Sequence, residues 1–141
     1  MAFKSLAAAV ASAVSKGAVL LITNAVNNGD KREFFEISLS GGEFVGTVGN
    51  GGAPFIYTAK NGKACIKRGH GDEIECGLSE LFEEFGYMAG KVASLPEGYC
   101  NVNKHKVTMT IDGENAAVMF RQWRLKKELN YILSLMEIAV R

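Results

Sequence analysis

The sequence predicts an α+β fold: a mainly antiparallel sheet of about six strands with an N-terminal, a middle and a C-terminal helix, in the order α-β-β-β-β-α-β-β-α. Residues 34–68 alternate apolar and polar side chains in short runs broken by Gly-Gly and Asn-Gly turns. Residues 78–92 and 122–140 repeat apolar side chains at the spacing of a helix. Between those helices the alternation returns over Lys106–Ile111 and meets a second hairpin signal, Asp112-Gly113.

A chain of 141 residues fits one domain, 1–141, and can bury a core without staples. Sixteen Lys and Arg against fifteen Asp and Glu leave a net charge of +1. That balance excludes a strongly basic nucleic-acid binder of the histone kind and a markedly acidic chaperone, so any anion site must be a local patch. Cys65, Cys76 and Cys100 are odd in number and lack CxxC spacing, which fits a reducing cytoplasm rather than a disulfide framework. No metal or cofactor is expected. The early apolar run Leu6–Val14 faintly resembles a secretory signal, but Ser12, Ser15 and Lys16 interrupt it. No window reaches the roughly twenty uninterrupted apolar residues of a membrane helix, so a cytoplasmic protein without membrane contact is expected.

Phe3, Leu6, Val10, Val14, Gly17 and Leu21 recur at steps of three and four, and the alanines between them favour a helix. With Val19–Ile22 included, this helix is apolar nearly all round, which suits a homo-oligomer interface; the other reading starts a short strand after Gly17. Asn27-Asn28-Gly29 is a helix stop. Phe35, Ile37 and Leu39 then alternate with polar neighbours, Gly41-Gly42 turns into Glu43–Val48, and Asn61-Gly62 joins Phe55–Ala59 to Ala64–Arg68. Residues 69–73 link to the middle helix, with Ser79 as N-cap and Leu78, Leu81, Phe82, Phe85, Met88, Ala89 and Val92 on its apolar face. Pro96 ends it. After the Asp112-Gly113 hairpin, a return strand over Asn115–Phe120 leads to a last helix starting near Gln122. The rival reading makes Asp112 an N-cap and starts one long helix at Glu114.

No catalytic constellation stands out. His70 and His105 are isolated, and Gly49-Asn50-Gly51-Gly52 lacks the lysine and Ser/Thr of a phosphate loop. The cations are more informative. Arg121, Arg124, Lys126 and Lys127 surround Trp123 where the last helix begins, opposing its dipole unless an anionic ligand sits there. Lys67, Arg68, Lys104 and Lys106 form a second set, and Tyr57 joins Trp123 as a stacking candidate. The expectation is a non-enzymatic binding protein for single-stranded nucleic acid or a phosphate-bearing nucleotide. The alternative is a protein-interaction module that oligomerises through the N-terminal helix. No motif in the chain identifies a family.

Overall fold

The computed structural model describes residues 5–28, 31–95, 105–115 and 122–141; the side chains of residues 27, 28, 31, 105–107, 115 and 122–124 fall outside that description. Among the described residues, three helices cover one face of an eight-stranded antiparallel sheet. The chain runs α1 (Leu6–Lys16), β1 (Leu20–Asn28), β2 (Lys31–Ser40), β3 (Glu43–Asn50), β4 (Phe55–Lys60), β5 (Lys63–Lys67), β6 (Glu73–Cys76), α2 (Leu78–Ala93), β7 (His105–Ile111), β8 (Glu114–Asn115) and α3 (Gln122–Ala139). The spatial order is β6-β5-β4-β3-β2-β1-β7-β8, so β1 lies inside the sheet between β2 and β7. The order of helices and strand groups is the one the sequence predicts, with β1 and β6 as additional strands.

The extra strand β1 corrects the long N-terminal helix. Ser5 caps the start of α1 by accepting from the Ala8 N–H, and Gly17 ends it in the left-handed conformation (φ 66°), its N–H turned back to the carbonyls of Ala13 and Val14. Beyond that cap Leu20, Ile22 and Val26 alternate into the core. What reads as an apolar helix is a strand whose neighbours are sheet. Leu6, Ala9, Val10 and Ala13 are buried within the chain's own core, so the apolar stripe of α1 is satisfied without a second subunit. The proposed oligomer through this helix therefore loses its physical motive.

The hairpins follow their turn chemistry. Gly41-Gly42, Asn61-Gly62 and Asp112-Gly113 all carry positive φ at both positions, which two-residue turns of matching twist require. Asp112 is not a helix N-cap. Its carboxylate accepts from the Val19 N–H at 2.8 Å while its own N–H donates to the Val19 carbonyl at 2.7 Å, tying the β7–β8 turn to the start of β1. The N-cap of α2 is Gly77, two residues before the Ser79 expected. The Gly62 N–H donates to the Val140 carbonyl at 2.7 Å, so α3 ends on the β4–β5 turn.

The core joins the inward side chains of β1–β5 and β7 to α1, α2 and α3. Among the described residues, one polar side chain interrupts it. Asn24 is fully buried, and neither amide atom has a hydrogen-bond partner among the described residues. An unpaired buried amide costs about 1–3 kcal/mol. Asn24→Leu, which keeps the branched outline without polar atoms, is expected to raise the urea midpoint with an unchanged slope, by about 1–2 kcal/mol of stability. A lowered midpoint would mean that Asn24 is paired in solution.

Candidate functional site

Trp123 and Arg124 belong to α3 (Gln122–Ala139), and residues 116–121 before it lie outside the described residues. The strand β8 over Glu114–Asn115 excludes the long helix starting at Glu114. Arg121 and Lys104 lie outside the described residues, as do the side chains of Trp123, Arg124 and Lys106. Lys126 and Lys127 are exposed one turn further along.

The second set of cations does not join them. Lys67 belongs to the row Ile56, Thr47 and Glu36 on the sheet face away from the helices. Lys106 pairs with Ala25 on β7, five strand positions from β5, or about 24 Å at the usual strand spacing. One phosphate cannot bridge that distance. Arg68 is engaged within the chain: its Nε and Nη2 donate to Glu84 Oε2 and Oε1 at 3.0 and 2.6 Å. Tyr57 is fully buried and cannot offer a ring face to a base. Its hydroxyl donates to Glu84 Oε2 at 3.0 Å.

This Tyr57–Glu84–Arg68 cluster ties α2 to β4 and to the end of β5. The Arg68 hydrogen bonds, opposed by partial burial and reinforced by Tyr57, hold the Glu84 carboxyl below its ordinary range. Burial first, and then the Glu84 carboxylate, push the Tyr57 phenol far above its usual value. A tyrosine so strongly held in its neutral form is a donor, not a base. Burial likewise raises the nearby Cys76 thiol, which disfavours the nucleophilic thiolate. Among the described residues no group of three or more His, Cys, Asp or Glu side chains gathers in a metal-binding arrangement.

Lys126 takes part in a different site. It lines a groove of about 720 Å³ between α2 and α3. Phe82 and Leu129 give the groove an apolar floor; Tyr87, Gly90 and Lys91 stand on the α2 side, and Lys126 and Asn130 on the α3 side. The two glycines of α2 shape it. A Cβ on Gly86 would lie 3.3 Å from Leu133 Cδ1, so the helices approach closely there. A Cβ on Gly90 would meet nothing within 4 Å, so the space opens one turn later. Lys91 Nζ sits 4.5 Å above the ring of Tyr87, which is 65% exposed. Glu83 is the acidic member of the lining. Of the binding residues expected from the sequence, Lys126 lines this groove; Tyr87, Lys91 and Asn130 were not among them. Their signal was the Gly86–Gly90 pair one turn apart, with Tyr87 and Lys91 at the same spacing beside it.

A smaller hollow of about 340 Å³ lies at the β3–β5 turns, lined by Glu43, Thr58, Lys60, Lys63 and Cys65 among others. Its charges are mixed. No helix among the described residues is long and apolar enough to cross a membrane. No protein-family model, curated protein or solved structure matches this chain.

Proposed function

We propose that the protein is a non-enzymatic binding protein that takes a phosphate-bearing nucleotide, free or within a single strand, in the α2–α3 groove. The observation that carries this reading is the placement of Lys91 and Lys126 on opposite walls of an apolar-floored groove, beside the exposed ring of Tyr87. Each part has a chemical use. The ammonium groups attract phosphate, Tyr87 offers a face to a base, and Asn130 supplies a donor and an acceptor for a base edge. The groove volume falls within the range of small-ligand sites, about 300–1,000 Å³. Arg124 supports the same reading, because it precedes Lys126 by two residues on α3 and adds another cation to that helix.

Titration with a nucleoside diphosphate and with a short single-stranded oligonucleotide is the test. Both are expected to bind at low salt and weaken as salt rises, the oligonucleotide more steeply because it releases more counterions. Lys91→Glu and Lys126→Glu should each cost about 1 kcal/mol or more, roughly fivefold in affinity, and lower the salt slope by about one. Absence of binding by either probe at low salt would refute the proposal. A second reading, a protein-interaction module, draws on the sheet face opposite the helices.

A further inference from the structure

We infer that the open face of the sheet is a dimer interface whose occupant is a second copy of this chain, packed sheet on sheet. Across β1–β4 the middle of this face carries Leu21, Thr23, Ser38, Val45, Thr47, Ile56 and Thr58, side chains that are small, β-branched or apolar. At the upper edge the ring of Phe34 lies over Gly49, where an added Cβ would be 2.3 Å from Phe34 Cε1. Such a surface resembles the inner face of a β-sandwich more than a solvated one.

One charge stands in its middle. Glu36 is half-buried between Thr23 and Thr47, with no ion-pair partner among the described residues. Its own row runs through Thr47 and Ile56 to Lys67, three strands away and opposite in sign. A two-fold axis along the strands between β3 and β4 lays β2 of each copy over β5 of the other. Glu36 then faces Lys67 of the partner subunit, and the symmetry repeats the pair. The same operation sets β3 over β4, so Thr47 meets Ile56 of the partner subunit. A self-complementary pattern of this kind is what an isologous interface requires.

The area suffices. Six strands, each contributing roughly six residues of length, present about 600 Å² per copy, or about 1,200 Å² in total, above the ~1,000 Å² of a specific interface. The helix-side groove remains open in such a dimer, so this interface and nucleotide binding stand independently.

Sedimentation velocity of the full chain over a concentration series tests the inference. The protein is expected to sediment as a dimer at tens of micromolar, and Thr47→Arg to sediment as a folded monomer with unchanged far-UV circular dichroism. Glu36→Lys and Lys67→Glu should each weaken dimerisation by about tenfold or more, while the double variant recovers to within about threefold of the parent. That recovery decides the matter even if Thr47→Arg fails to fold. A parent protein that stays monomeric at about 100 μM, or a dimer that neither single charge reversal weakens, would overturn the inference.

Discussion

Gly46→Ala is expected to lower stability by about 2–3 kcal/mol, and Gly46→Val to leave little folded protein at room temperature. Gly46 lies in the middle of β3 on the helix-covered side, where a glycine ordinarily weakens a strand. The reason for its presence is Phe85. A Cβ built on Gly46 would lie 2.5 and 2.8 Å from two ring carbons of Phe85 and 3.0 Å from one of Phe44. Neither ring can step aside. Phe85 meets Phe35, Phe44 and Tyr57 edge to face with centroids 6.4, 5.4 and 5.3 Å away, and Phe44 also packs on Phe82 at 4.7 Å. Moving Phe85 means moving α2. Gly52→Ala is the control, because its Cβ would meet nothing within 4 Å; it should change stability by less than about 0.5 kcal/mol. Urea unfolding of the three variants checks the ranking, and equal midpoints for Gly46→Ala and Gly52→Ala would show that the aromatic seat is not tight.

The parts of this fold legible in sequence are those whose signal is local. Asn61-Gly62 and Asp112-Gly113 announce their hairpins because both residues of each turn must take positive φ, and few residue types accept that. The apolar face of α2 is equally plain, since Leu81, Phe82, Phe85, Ala89 and Val92 keep one stripe. β1 was read only as the alternative, a short strand after Gly17, because Val19–Ile22 continues the apolar pattern of α1 and because Asn24 breaks the alternation that would have marked a strand. Only the sheet on both sides of β1 explains its composition. β6 was left undecided for the opposite reason: Glu73 and Glu75 alternate around Ile74 as either a strand edge or a helix approach would, and all three are exposed on an edge strand, with no buried alternation to decide between them. The site divides in the same way. A cluster of cations before an apolar helix is visible in the chain, and Lys126 proves to line a groove. Its opposite wall is not visible, because Lys91 reaches the groove only when α2 packs against α3. Arg68 was misjudged as a free cation because its partner, Glu84, lies sixteen residues away on another element.

That partnership sets the second large effect. Glu84→Ala is expected to cost about 2–3 kcal/mol at neutral pH, since it leaves the buried Tyr57 hydroxyl without its acceptor and removes both Arg68 bonds. Arg68→Ala should cost less, because the side chain is 42% exposed and water can replace part of what it gives. The charge itself can be isolated by pH. The Glu84 carboxyl titrates below its ordinary value in the folded chain, so the unfolded chain binds its proton first as pH falls. The stabilisation is therefore complete above the unfolded carboxyl range and is lost as pH falls through that range toward the lower folded value. Glu84→Gln keeps the shape and an acceptor for Tyr57 but cannot carry the charge. Its deficit relative to the parent should be constant from about pH 8 to 6 and shrink below about pH 4. Urea midpoints of the two proteins across that range make the measurement. A gap that persists unchanged to pH 3 would assign the contribution of Glu84 to packing and neutral hydrogen bonding, with Arg68 contributing no electrostatic stabilisation.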